Sequence, residues 1–241
     1  KNRPENAAVY AKSKIHANTP GILYLDSLGR PFLGLEHNKW NKPDGNAFVE
    51  TEAFYPTYVL LDIEGNARAL MDARNNPVMH WQYDMLGHRL YQRGMDNGER
   101  WMLHDCMGKP LLAWDENEAK GVLEQRQMRT TYDILHRPFT TLLSIDGGGP
   151  YTIAKIKYGE FEPDAAARNL RGQMIEAYDE SGKNTTPAYD FKGKPKAVQR
   201  QLAAQYDKEI LDWADAGTTL MAEVFTQTTR YDALGRMVQM E

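Results

Sequence analysis

The sequence predicts an all-β fold of antiparallel hairpins with one inserted amphipathic helix near 195–214, and three observations carry that prediction. A turn of fixed form recurs along the chain: an Asp, two variable residues, a Gly, then usually a basic or amide residue. Short β-rich runs separate the turns. The intervals fall near one or two multiples of a ten- or eleven-residue unit, as between Asp62 and Asp72, Asp84 and Asp105, Asp105 and Asp115, or Asp179 and Asp190. Removing about four residues for each turn leaves strands of roughly six or seven, an ordinary strand length, and recurrence of this kind marks a repeat architecture.

Strict copies of the turn pair Asp26 with Gly29, Asp62 with Gly65, Asp84 with Gly87, Asp105 with Gly108, Asp179 with Gly182, Asp190 with Gly193 and Asp232 with Gly235. The carboxylate accepts hydrogen bonds from the amides just after it, and glycine takes positive φ without a Cβ clash, so the pair reverses the chain. Tyr83, Tyr178, Tyr189 and Tyr231 directly precede four of these Asp residues and offer an apolar ring to cover the turn. Looser copies place Asn75 after Asp72 and His136 after Asp133 where Gly is expected, and Trp114-Asp115-Glu116-Asn117-Glu118 is a degenerate copy. Asn tolerates the left-handed region; His136 and Glu118 are less comfortable there.

Taken in order, residues 1–58 are lead-in strands with a polar, turn-rich long loop from Trp40 to Glu52. Residues 59–194 hold the hairpins, with strands at Val59-Leu60-Leu61, Pro77 to Tyr83, Arg100 to Leu103 and Lys109 to Trp114. A short helical insert is expected near 163–171, from Pro163, Asp164 and Ala165-Ala166-Ala167. Residues 195–217 read as a helical insert: Val198, Leu202, Tyr206, Ile210 and Trp213 recur at helical spacing, Pro195 stands near the start and Gly217 after the end. Residues 218–241 return to a hairpin. The last turn lies close to Glu241, and the expectation is an excerpt of one larger array.

Composition narrows function. A net charge of -4 and short basic clusters, Lys192 to Lys196 and Lys155-Ile156-Lys157, argue against nucleic acid as a partner. Cys106 is the only cysteine, which excludes an internal disulfide, and no apolar run approaches the roughly 20 residues that span a bilayer. Signals for chemistry are thin. Asp146-Gly147-Gly148-Gly149-Pro150 lacks the Lys-Ser/Thr of a phosphate loop and reads as a hairpin tip. His16, His37, His80, His88, His104 and His136 show no metal-ligand spacing, so neither a metal nor a cofactor is expected. Ser144 and Cys106 are unsupported as nucleophiles, and Asn184-Thr185-Thr186 is a formal glycosylation sequon. The aromatics Trp81, Tyr83, Trp101 and Trp114 suit strand packing better than sugar stacking.

These residues carry a resemblance. The turns are similar to the YD repeats of Rhs proteins. The ordered set Tyr24 to Phe32, Asp62 to Asn66, Tyr83 to Arg89, Gly98 to Leu103, Gly108-Lys109-Pro110, Tyr158-Gly159-Glu160, Ala167 to Gln173, Tyr189 to Gly193 and Tyr231 to Arg236 resembles the B component of insecticidal Tc toxin complexes. The resemblance implies that the hairpins form part of a curved or spiral β-shell. That hollow wall encloses a cytotoxic polypeptide before translocation, and its role is structural rather than enzymatic. Implied partners are the rest of a B-like chain, a C-like Rhs component with its enclosed toxin tail, and a pore-forming A-like component reached through regions outside this chain, with no membrane insertion by the chain itself. The implied location is secreted, after assembly in the bacterial cytoplasm. Two alternatives stand beside it: a carbohydrate-binding or adhesive YD-repeat surface, and a hydrolase with a carboxylate pair.

Overall fold

A computed structural model describes residues 9–10, 13–44, 47–119 and 121–241. The chain is all-β, with sixteen antiparallel strands following one another in chain order. They are β1 (Ile22–Leu25), β2 (Pro31–Asp44), β3 (Ala47–Leu61), β4 (Ala67–Met71), β5 (Pro77–Tyr83), β6 (Arg89–Gly94), β7 (Gly98–His104) and β8 (Pro110–Ala119), then β9 (Val122–Tyr132), β10 (Pro138–Ile145), β11 (Gly148–Tyr158), β12 (Met174–Asp179), β13 (Gly182–Thr185), β14 (Ala197–Leu202), β15 (Phe225–Tyr231) and β16 (Met237–Met240). They group into two compact units, Lys1–Trp101 and Met102–Glu241, with the boundary inside β7.

Burial is sparse for so much sheet. The described hydrophobic residues that are buried are Tyr91 in the first unit and Leu143, Ile153, Ala165, Leu170, Ile175, Tyr189, Ala203 and Leu211 in the second. The chain exposes 16815 Å², against about 11,000 Å² for one compact protein of this mass and about 13,000 Å² for two compact halves. With little core to hold the strands, the reversals between them must be stable in themselves.

In the first unit, the expected long loop from Trp40 to Glu52 is instead paired strand wherever it is described: β2 and β3 pair from Leu33↔Tyr58 to Asp44↔Ala47, and 45–46 lie outside the described residues. Cross-strand pairs replace the missing apolar alternation. His37 stacks on Phe54 with ring centroids 4.4 Å apart, and Glu52 takes His37 at 2.5 Å and Lys39 at 3.7 Å. A strand exposed on both faces needs matched neighbours rather than a hydrophobic side.

The second unit brings two further corrections. The degenerate copy at Asp115 is not a turn; it lies within β8, with Trp114 opposite Gln127 and Asp115 opposite Arg126. The position three residues after Asp115, where the other copies have Gly, Asn or His, is Glu118. The helix expected over 195–214 is absent, and β14 occupies its first half, paired with β13 and β15. Its apolar spacing does not form a buried stripe, since Tyr206 is 83% exposed. The rest, 203–224, is an irregular loop tied to backbone elsewhere. Thr152 N donates to Asp212 Oδ1 at 2.9 Å, Trp213 N to the Thr152 carbonyl at 2.9 Å and Trp213 Nε1 to the Asp179 carbonyl at 3.0 Å. The Trp213 amide, which a helix would have satisfied internally, is thus taken by strand backbone instead. Residues 159–172, where the short helical insert is expected, form a string of turns. That string caps a small cluster of Ala165, Leu170, Ile175 and Tyr189.

Candidate functional site: a ladder of turns

The groups with the most chemistry in this chain are in its turns. The motif builds a five-residue loop. In Asp26 to Arg30, the Asp26 amide donates to the Arg30 carbonyl, Gly29 N donates back to the Asp26 carbonyl, and Asp26 Oδ1 accepts the amides of Leu28 and Arg30, both at 2.9 Å. The same bonds recur at Asp84, Asp105, Asp133, Asp190 and Asp232, and across Asp72 to Asn76. At Asp62 the amides of Gly65 and Asn66 take this role. Gly29, Gly65, Gly87, Gly108, Gly193 and Gly235 all sit at positive φ, as do Asn75 and His136 where the motif departs from Gly.

The second carboxylate oxygen explains the fifth residue. Asp Oδ2 accepts from Arg30 at 2.7 Å, Asn66 at 3.1 Å, Asn76 at 3.0 Å, Arg137 at 2.8 Å and Arg236 at 2.7 Å, and His88 Nδ1 lies 3.0 Å from Asp84 Oδ2. The carboxylates respond. Asp26, Asp72 and Asp232 are held below the ordinary carboxylate range, first by the amide of the fifth residue. At Asp62, Asp84, Asp105 and Asp133 burial pushes upward, but the hydrogen bonds, joined by a nearby cation at all but Asp62, together outweigh it and the pKa is lowered.

Because the strands run in chain order, alternate connections fall at the same end of the strands. In the second unit the connections 105–109, 133–137, 159–173, 190–194 and 232–236 share one end, and neighbouring turns along it touch. Asp105 holds the Lys109 amide, while the Lys109 ammonium reaches the His136 carbonyl of the next turn and lies 5.6 Å over the Tyr132 ring. Asp105 Oδ2 takes His136 Nε2 at 2.7 Å in return. Arg137 pairs with Glu160 at 2.5 Å and lies 3.7 Å over Tyr158. Glu160 also accepts the Gly172 amide at 3.1 Å. Lys194 reaches the Gly235 carbonyl and lies 5.0 Å over Tyr231. In the first unit Arg30 donates to the Ile63 carbonyl at 3.3 Å. Each fifth residue therefore either closes its own turn, grips the next, or does both.

Asp179 to Gly182 differs despite its strict spacing. Asp179 pairs directly with Gly182, leaving a two-residue loop, and its carboxylate receives both guanidinium nitrogens of Arg200 at 2.7 Å. That pairing, ahead of the opposing effect of burial, lowers Asp179 to about 2. A Cβ on Gly182 would lie 2.1 Å from the Gln201 carbonyl oxygen.

Other candidates disperse. Trp101 faces Tyr91 with centroids 4.4 Å apart, whereas Trp81 stands opposite Gln92 and so projects from the other side of the sheet. Asp146 to Pro150 is the β10–β11 hairpin tip. Asn184 lies within β13, and Cys106 is exposed at a turn tip. Among the described residues no three His, Cys, Asp or Glu side chains are grouped to hold a metal, and no helix is long and apolar enough to cross a membrane. Sequence reasoning missed the fifth-residue grip, the Arg200 clamp and the Asp212-Trp213 anchor. The first had a visible signal in the basic or amide residue that follows each Gly.

The geometry defines a class: a ladder of antiparallel hairpins whose turns are locked by an Asp and, within each unit, linked to one another. The chain has the fold of a stretch of the Tc toxin B–C structures. It superposes on the Tc holotoxin pore of Photorhabdus luminescens with a TM-score of 0.71 at 20% identity, over 98% of this chain and 11% of that one. Against TcdB2–TccC3 the TM-score is 0.71 at 20% identity over 100% of this chain and 12% of that one. Without the hypervariable C-terminal region of that complex the TM-score is 0.72, at 20% identity and 98% coverage of this chain. The chain thus spans about one ninth of the structures it matches. No family model matches the sequence, and no curated protein is similar to it.

Proposed function

We propose that this chain is part of the wall of a hollow YD-repeat shell that encloses a cytotoxic polypeptide in a Tc/Rhs-type toxin complex before translocation. The observation that carries the reading is the near-complete match of the chain to TcdB2–TccC3, including that complex within a holotoxin pore. Physical features support it. A wall must hold its strands without an opposing layer, and turns closed within five residues and gripped by their neighbours do this. Every carboxylate with a displaced pKa is displaced downward, into turns and ion pairs, as suits structural rather than acid–base use. The partners are then the rest of a B-like chain, a C-like Rhs component and its toxin tail, and, through regions outside this chain, a pore-forming A-like component. The complex is secreted after assembly in the bacterial cytoplasm.

The test is a strand-resolved structure of the parent polypeptide with its C-like partner. These hairpins lining a large closed cavity are expected; a solid, two-layered packing of the same strands would overturn the reading.

A further inference from the structure

The tips of the linked turns are apolar. At the end of the second unit where turns grip one another, the central turn residues include Met107, Ile134, Leu135, Phe161, Phe191 and Leu234. Ile134 and Phe161 are each 99% exposed, Phe191 78%, and the other three between 63% and 73%. Turn geometry does not ask for them: these positions favour small polar residues, and a β-branched Ile gains nothing there from the backbone. Two turns at the opposite end have polar tips, Asp146-Gly147 and Glu180-Ser181, although Val122 and Leu123 at the start of β9 and Tyr206 in the 203–224 loop are exposed at that end.

We propose that this row of tips docks against the sheet face of a second hairpin ladder of the same kind, which for the isolated chain is a second copy of itself. Three observations select that occupant. Consecutive tips lie two strands apart, so the row repeats at roughly 9–10 Å, and an antiparallel ladder is the partner with seats at that step. Its faces offer half-exposed apolar side chains such as Phe139 and Tyr151, because no opposing layer covers them. The six side chains present on the order of 1,000 Å², comparable to one side of a standard protein interface, about 800 Å². Lys109, Arg137 and Lys194 beside the tips are directed at carbonyls and a carboxylate of adjoining turns rather than outward, although Asp164 and Arg171 are exposed in the 159–173 string. The proposal rests on the wall reading and deepens it by saying which surface holds one layer to the next.

Sedimentation velocity of the 241-residue chain tests it, alongside a triple variant Ile134→Ser, Leu135→Ser, Phe191→Ser, each with its circular dichroism spectrum. The wild type is expected to self-associate in the micromolar range and the variant to associate at least about tenfold more weakly. Equal association, or a wild type monomeric throughout, overturns the proposal. So does a wild type that stays monomeric yet floats with phosphatidylcholine vesicles while the variant does not, since the tips would then serve a lipid surface. If the variant misfolds, maleimide labelling of Cys106 in the wild type decides. Labelling that slows as protein concentration rises supports covered tips, and a constant rate overturns them. A parent structure without a cavity would sink the wall reading but leave tip association measurable, whereas a cavity with non-associating tips would sink only this inference.

Discussion

Two turns of the second unit, Asp133 to Arg137 and Asp179 to Gly182, share a motif spacing and end differently. In the first the carboxylate is consumed inside its own five-residue loop, and the fifth residue extends to Glu160. In the second the loop shortens to two residues; Asp179 Oδ1 still accepts the Ser181 and Gly182 amides, and the carboxylate is clamped in addition by Arg200 from β14. The Asp thus guarantees a reversal, but what surrounds the fourth and fifth positions decides which one. At Gly182 backbone of the neighbouring strand, the Gln201 carbonyl, presses against the Gly and the loop is short; at Gly65, Gly193 and Gly235 only side chains approach and the loop is long.

Substitutions can break or sharpen that contrast. Gly182→Ala should have the largest effect, about 3 kcal/mol or more, because its methyl would collide with backbone that cannot rotate away; equal thermal stability of variant and wild type would remove the close approach. Gly87→Val should cost less, about 1–3 kcal/mol, since nothing lies within 4 Å of a Cβ there and only the backbone strain at φ +82° remains. Denaturant unfolding should rank the two in that order. Asp84→Ala should cost about 1 kcal/mol through the lost turn bonds.

Acid should separate the turns. Asp179 has its pKa lowered from 3.8 to about 2 by Arg200, so the native state binds fewer protons than the unfolded state across that interval. Its contribution is present above pH 3.8, falls as pH drops towards 2, and is gone below it. Asp179→Asn should flatten the stability profile in that window, which urea titrations between these pH values would detect. The smallest change is expected for His136→Gly: relief of a left-handed residue, about 1 kcal/mol, offsets loss of the Asp105 tie. A melting temperature within a few degrees of wild type is the expected result.

These contrasts also mark what the sequence could disclose. The reversals at Asp26, Asp84 or Asp232 were legible because every bond they need lies within five residues. Strands bounded by them, such as Pro77 to Tyr83, followed from turn spacing and β-rich composition. The hairpin through Trp40 to Glu52 was not legible, because its stability comes from cross-strand partners such as His37 with Phe54. Nor was the strand at Ala197–Leu202: helical spacing of Val198, Leu202, Tyr206 and Ile210 competed with open pairing groups on β13, visible only once the strands were placed. The links between turns were half visible, as a residue preference without a reason.

The self-contained turn has a consequence for how such a chain comes into being. Hairpins closed by bonds at separations of two to four residues, and strands paired with their sequence neighbours, make for low contact order, so each repeat can form as soon as it is synthesised. Growth is then vectorial, with each finished hairpin a template for the next. An exception is the anchoring of the 203–224 loop, whose Asp212 holds Thr152, 60 residues apart in sequence, and whose Glu209 pairs with Arg126. That staple has to wait until β12 to β14 are laid down, which makes the 203–224 loop the natural last step in completing this stretch of the ladder.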